Sequence, residues 1–328
     1  SISAATISYT NKNAGTANKT VTLDSATVSD GNSGNNYTIT RAGNSTSTIT
    51  PKAITLTAGS VTKTYDGGLT YNTQAADLST LTNQLIRGDS VSAATISYTD
   101  KNAASGTKVV TLDAVILSEN NNGGNYTVTL AGNSTSTITR KNLTAAYTAS
   151  NKVYDGNTTA AVVGSSSDIV SGDTVNLANS SATFDTKNVG TGKAVSVSGI
   201  AISGTDAGNY ALQNTTASTT ADVSKKDASI TGTTTNLTYN GAVQTQDAAV
   251  LSGFVASDVS NGTVAAIGLA TGRNAGTYAS NLSAIGTDAG NYNVTVTNAD
   301  LVVGKKSLVL SAGNDSKTYD GTTNSSGT

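Results

Sequence analysis

A Tyr-Asp-Gly or Tyr-Asn-Gly tripeptide returns four times along this chain, and that recurrence limits its fold more than any other feature. The copies are Tyr65-Asp66-Gly67, Tyr154-Asp155-Gly156, Tyr239-Asn240-Gly241 and Tyr319-Asp320-Gly321, spaced by 89, 85 and 80 residues. An Asn-Tyr pair after a Gly/Asn turn falls between them, at Asn36-Tyr37, Asn125-Tyr126, Asn209-Tyr210 and Asn291-Tyr292, spaced by 89, 84 and 82. A fixed period of this kind signals similar units in tandem. The unit is too long for one coil of a solenoid and about right for a small domain. The 328 residues then divide into the later part of a unit (1–50), three complete units (51–140, 141–225 and 226–305) and the beginning of another (306–328). Residues 3–50 nearly repeat residues 92–139, which implies recent duplication. A chain that starts and stops inside a unit is expected to be a window on a longer polymer of modules.

Within each unit, apolar residues alternate with Thr, Ser and Asn. Examples are Tyr126-Thr127-Val128-Thr129-Leu130 and Val195-Ser196-Val197-Ser198. Period two with β-branched residues predicts half-buried strands. No stretch has a capped helical stripe; only short helical turns are expected, near residues 74–81 and 248–252. The expected class is all-β, a linear array of small antiparallel modules of five to seven strands each, forming an elongated rod. Turns are marked by Lys101-Asn102, Lys187-Asn188 and Arg273-Asn274, by the Gly-Asp pairs Gly88-Asp89 and Gly172-Asp173, and by the Gly/Asn residues before each Asn-Tyr. Basic residues mark the unit boundaries at Lys52, Arg140-Lys141, Lys225-Lys226 and Lys305-Lys306, with no Gly/Ser or Pro-rich linker between units. The last strand of one unit is therefore expected to run almost directly into the first strand of the next, which limits bending.

Charged residues make up 12% of the chain, about half the roughly 25% of an ordinary globular protein, and net charge is −2. That balance gives no nucleic-acid footprint. No apolar run reaches the length of a membrane span. The sequence holds no Cys, so disulfides and thiolate metal sites are excluded. His is absent and Glu119 is the only Glu, which removes the usual neutral-pH acid–base groups; no enzyme activity and no catalytic residue are expected. At Tyr65-Asp66-Gly67 and its copies the residue types suit a tight turn: Tyr packs on the core, Asp bonds nearby backbone, and Gly supplies positive φ. Asn240 makes the same turn without charge. Calcium is the alternative ligand for these aspartates, but it prefers several clustered carboxylates, and no Asp-x-Asp-x-Asp cluster occurs. No cofactor is therefore expected. Lysine isopeptide cross-links lack an assisting acid, and the Asn-x-Ser/Thr triplets are too common in such a composition to mark glycosylation.

Taken together, Lys152-Val153-Tyr154-Asp155-Gly156, Gly172-Asp173, residues 184–193 and Thr205-Asp206-Ala207-Gly208-Asn209-Tyr210 resemble the YDG repeat of bacterial surface proteins. The unit holding Tyr239-Asn240-Gly241 and Arg273-Asn274-Ala275-Gly276 is more similar to the related MBG repeat. Such modules occur in tandem in large secreted adhesins that resemble filamentous haemagglutinin. The resemblance implies β-rich, grasp-like modules with minor helix in an extracellular or cell-surface stalk. It defines no binding residue. The function expected is thus a structural stalk or filament segment of an adhesin, with a multivalent glycan- or mucin-binding array as the alternative. The expected partners are neighbouring modules of the same chain, other copies in a fibre through edge-strand pairing, and a host or matrix glycan; neither nucleic acid nor membrane insertion is expected.

Overall fold

The computed structural model describes residues 1–324. The protein is all-β: many short strands form small sheets, and among the described residues helix is confined to Ala75–Thr82 and Ala256–Ser260, with single 3-10 turns at Ala207–Asn209 and Ala289–Asn291. No helix there is long and apolar enough to cross a membrane. The first helix falls where a helical turn was expected. At the second predicted turn the structure instead has a strand, Val250–Ser252, which pairs antiparallel with the end of Lys226–Thr231. Backbone pairing at that sheet edge overrides weak local preference.

The three complete repeats share one strand plan. The first strand of each pairs with the strand that begins at the Asn-Tyr tyrosine. The registers are Lys52↔Tyr126, Lys141↔Tyr210 and Lys226↔Tyr292. The strand leading into each Tyr-Asp/Asn-Gly turn pairs with the last strand of the same repeat: Thr62↔Thr137, Lys152↔Val223 and Thr235↔Leu301. All six of these pairings are parallel, which corrects the expectation of antiparallel modules. Parallel neighbours need a long crossover, and most of a repeat lies between the two members of each pair. The remaining pairings are antiparallel, as in Ser90–Tyr98 with Ala104–Ser118 and Ser181–Phe184 with Gly190–Ser198.

Alternation builds the core as the sequence pattern predicts. On Gly190–Ser198, Val195 and Val197 are buried while Ser196 and Ser198 face out. Leu56, Val110, Leu143, Ile230 and Leu301 are wholly buried. Only one or two residues separate the last strand of one repeat from the first of the next: Asn44–Ile49 and Lys52–Thr57, Asn133–Thr139 and Lys141–Leu143, Thr216–Ser224 and Lys226–Thr231.

The compact units of the fold differ from the sequence repeats. One unit gathers residues 1–146, 165–178 and 200–215; the other gathers 147–164, 179–199 and 216 onward. The stretch 141–225 contributes strands to both units. Lys141–Leu143, Asn176–Ala178, Ala201–Ser203 and Tyr210–Leu212 belong to the first unit, whereas Lys152–Val153, Ser181–Phe184, Gly190–Ser198 and Thr216–Ser224 belong to the second. The physical reason is the joint described next, which packs one half of a repeat onto the neighbouring repeat. Residues 306–324 carry no strand; the last four residues of the partial repeat 306–328 lie outside the described residues.

Candidate functional site: the inter-repeat joint

Each Tyr-Asp/Asn-Gly turn is made as its residue types require. Gly67, Gly156, Gly241 and Gly321 have φ of +81°, +81°, +86° and +77°, a region open to Gly and strained for other residues. The Oδ1 of Asp66, Asp155, Asn240 and Asp320 accepts a hydrogen bond from the amide two residues on, that of Gly68, Asn157, Ala242 and Thr322. A lysine clamps three of the four turns. Lys63 Nζ donates to Asp66 Oδ1 at 2.7 Å and to the Gly68 and Thr70 carbonyls, and Lys152 and Lys317 repeat the pattern on Asp155 and Asp320. In the fourth copy both charges are gone together. Leu237 stands in place of the lysine and packs against Ala270, Leu301 and Val303, while Asn240 replaces the acid.

The tyrosine of the turn does more than pack on its own core. Tyr65 is buried, and its hydroxyl donates to Asp173 Oδ2 of the following repeat at 2.8 Å. Tyr210, from the Asn-Tyr pair of that repeat, donates to the same oxygen at 2.6 Å and accepts the Val170 amide at 2.8 Å. The two rings meet edge to face, 5.6 Å apart at 72°. Lys101 Nζ lies 3.3 Å from Asp173 Oδ1 and 3.6 Å from Asp206. Beside it, Asn209 reads the loop of the preceding repeat: its Oδ1 accepts the Ala103 amide at 2.8 Å and its Nδ2 donates to Asn102 Oδ1 at 3.2 Å. A Cβ on Gly67 would lie 2.9 Å from Val170 Cγ1, so only glycine fits that close approach.

The second unit holds the same joint. Tyr154 and Tyr292 donate to Asp258 Oδ2 at 2.9 and 2.6 Å, with rings 5.4 Å apart at 77°. Lys187 bridges Asp258 (3.4 Å) and Asp288 (2.8 Å). Asn291 accepts the Val189 amide at 3.0 Å and donates to Asn188, and Gly156 approaches Val255 as Gly67 approaches Val170. A third joint, at residues 11–14, is partial. Asn125 accepts the Ala14 amide at 2.7 Å and donates to Asn13, and Tyr126 donates to Asp89 at 2.6 Å. No turn tyrosine fills it, and a cavity of about 290 Å³ lies there, bounded by Lys12, Ile49, Thr50, Ile86, Asp89 and Tyr126.

The electrostatics match the geometry. Burial pushes the Asp173 carboxyl up, but hydrogen bonds from Tyr210, Tyr65 and Lys101 outweigh it and hold the group below its ordinary value. Burial, reinforced by the bond to Asp173, pushes the Tyr210 phenol up to about 12 and raises Tyr65 as well. Burial and the bond to Asp258 do the same for Tyr154 and Tyr292. The Asp288 hydrogen bond holds the Lys187 ammonium above its usual value. A buried carboxylate here accepts two phenols and faces a lysine, and no cluster of three or more His, Cys, Asp or Glu that would hold a metal occurs among the described residues.

Of the residues singled out in the sequence, the joints bring together Tyr65 with Tyr210 and Tyr154 with Tyr292, and they place Asn125, Asn209 and Asn291 at the loop of the preceding repeat. Asp66, Asp155 and Asn240 stay in their turns. Tyr239 and Tyr319 are exposed. The aspartates that receive the tyrosines were legible only in part. Asp89 and Asp173 lie in the Gly-Asp pairs read as plain turns, whereas Asp258 lies in the helix Ala256–Ser260, with no Gly before it. The usable signal was spacing: Asp89 and Asp173 each stand 37 residues before their tyrosine, and Asp258 stands 34 before its own.

No curated protein sequence matches the chain. The profile described as YDG domain matches residues 50–137 and 139–219. The two matches take in the Tyr65 and Tyr154 turns, the Asp89 and Asp173 acceptors and the Tyr126 and Tyr210 strands. They follow one another along just over half of the sequence, and the chain belongs to the YDG domain family.

Proposed function

We propose that the protein is a structural spacer: a stalk or filament segment of a bacterial cell-surface or secreted adhesin, in which each joint holds neighbouring repeats at a set angle. The observation that supports this reading is the recurrence of one joint, Tyr–Asp–Tyr with its bridging Lys and its Asn–backbone pair, at Asp173 and again at Asp258. A chain that keeps its repeats apart for independent binding has no need of the buried charged fastening that joins the three complete repeats at Asp173 and Asp258. In this reading the chain has no enzymatic role, acts outside the cell, and has the adjoining repeats as its principal partners. The unit 226–305 is an MBG-type variant of the same plan: it keeps the parallel registers Lys226↔Tyr292 and Thr235↔Leu301 while its turn has lost the Lys–Asp pair.

Small-angle scattering on the full chain at low concentration tests the spacer reading. The expected result is the cross-section of a stiff rod, and a shorter, more flexible particle after the double substitution Asp173→Ala and Asp258→Ala. Scattering of a flexible string from the unsubstituted chain would remove the proposal.

A further inference from the structure

Oxidation has few places to act on this chain. Cys and Met, the usual targets, are absent, and so are Trp and His, which leaves the 13 tyrosines as the readily oxidised side chains. Among the described residues, tyrosine rings meet in two places, Tyr65 with Tyr210 and Tyr154 with Tyr292, and both are joints between complete repeats.

Three features of these pairs bear on their reactivity. The two hydroxyls of a pair donate to one carboxylate oxygen: Asp173 Oδ2 at 2.8 and 2.6 Å, and Asp258 Oδ2 at 2.9 and 2.6 Å. A phenol so placed passes its proton to the carboxylate as its electron leaves, and avoids the costly protonated radical cation. The shared acceptor also draws together the ring carbons that flank the two hydroxyls, with ring centroids 5.6 and 5.4 Å apart. Finally, all four tyrosines are buried, so a radical formed there meets its partner ring before it meets a second molecule. The oxidant need not touch the rings, because an electron crosses a thin layer of protein without contact.

We propose that Tyr65 with Tyr210, and Tyr154 with Tyr292, are sites of oxidative cross-linking, each pair closing to a dityrosine that ties successive repeats covalently. Each link consumes two equivalents of a one-electron oxidant. Each phenol gives one electron to the oxidant and its O–H proton, by way of the aspartate, to water. The two ring radicals join through a carbon–carbon bond between positions ortho to the hydroxyls. The hydrogen on each joined carbon then moves to its own oxygen and restores the phenol, so the pair loses two hydrogens in all. The partners are far apart in sequence, and a link between them constrains the unfolded chain as a disulfide closing a long loop does. A chain without Cys gains a staple by this route. The proposal rests on the geometry of the joint and not on the spacer reading.

The test irradiates the full chain, at high dilution, with a ruthenium tris-bipyridyl photo-oxidant and persulfate as final electron acceptor. Intact mass counts the hydrogens lost, and mass spectrometry of a digest locates the linked peptides. The expected product is a monomer short of four hydrogens, with Tyr65 joined to Tyr210 and Tyr154 to Tyr292, and with a raised midpoint of urea unfolding. Tyr65→Phe is expected to retain only the second link and Tyr154→Phe only the first; both substitutions keep the packed ring. Chain unfolded in urea before irradiation is expected to lose both links. The proposal is overturned if the irradiated monomer contains no dityrosine, if the links fall mainly between other tyrosines, or if the unfolded chain forms the same two links as readily as the folded one.

Discussion

At the residue scale, glycine in the Tyr-Asp/Asn-Gly turn answers two separate demands, and the four copies allow them to be told apart. Gly241 and Gly67 both have positive φ, but nothing lies within 4 Å of a Cβ on Gly241, whereas one on Gly67 meets Val170 at 2.9 Å. Gly241→Ala should cost about 1 kcal/mol, the strain of a left-handed backbone alone. Gly67→Ala should cost about 1–3 kcal/mol more, from overpacking at the joint. Chemical denaturation of the two variants measures the difference, and equal losses would mean that Val170 simply moves aside. Tyr65→Phe should lose about 1 kcal/mol, since it removes a hydrogen bond and keeps the ring. Asp173→Ala should lose about 2–4 kcal/mol, because it leaves two buried phenols without an acceptor.

The same groups set the pH profile. Asp173 titrates below 3.8 in the fold, so its contribution is complete above that value and is lost as pH falls through the folded pKa. Tyr210 titrates at about 12 against an ordinary 10.0, so its contribution is complete below pH 10.0 and is lost as pH rises toward 12. The melting temperature should be level from about pH 5 to 9 and fall on both sides. Asp173→Asn should flatten the acid limb; an unchanged limb would show that other carboxylates set it.

At the scale of strands, the alternation of apolar and polar residues was enough to read the class and the inward and outward faces of strands such as Tyr126–Ala131 and Gly190–Ser198, but not the strand Val250–Ser252, where a helical turn was expected. Leu301→Ala, on a side chain wholly buried among Ala270, Val303, Leu237 and Tyr278, should cost about 2–4 kcal/mol. Val302→Thr, one residue along on the opposite face of Asp300–Gly304, should change stability by less than about 0.5 kcal/mol. Comparable losses at the two positions, measured by urea unfolding, would contradict the face assignment. What the pattern did not reveal was direction. Alternation is the same in parallel and antiparallel strands, and the partners Lys52 and Tyr126 are too far apart in sequence for a local turn to announce them. The helix Ala256–Ser260 escaped notice for a related reason: it is a single short segment held by the joint through Asp258, with no periodic stripe of its own. The joints themselves were hidden because each of their residues has an ordinary local use. Gly172-Asp173 is a turn signal, Lys101-Asn102 is a turn signal, and Tyr65 is a core aromatic; only contact between successive repeats gives them a common purpose.

At the scale of the whole molecule, residues 141–225 contribute to two compact units, so the unit rather than the repeat is expected to be the element that unfolds. In an array with nearest-neighbour interactions, damage at one interface weakens the segments it fastens and fades with distance along the chain. The fastening at Asp173 joins the turn after Thr62–Thr64 to the strand Tyr210–Leu212, all in the first unit, and the one at Asp258 lies wholly in the second. Asp173→Ala is therefore expected to raise amide exchange in Lys52–Thr57, Lys141–Leu143 and Tyr210–Leu212 while Tyr292–Thr297 and Asp300–Gly304 keep their protection. Asp258→Ala should produce the reverse map. Hydrogen exchange read by mass spectrometry on the two variants decides the matter. If Asp173→Ala instead releases strands of both units equally, the shared repeat couples them into a single cooperative block, and the joint would then govern the stability of the whole chain as well as the boundary it spans.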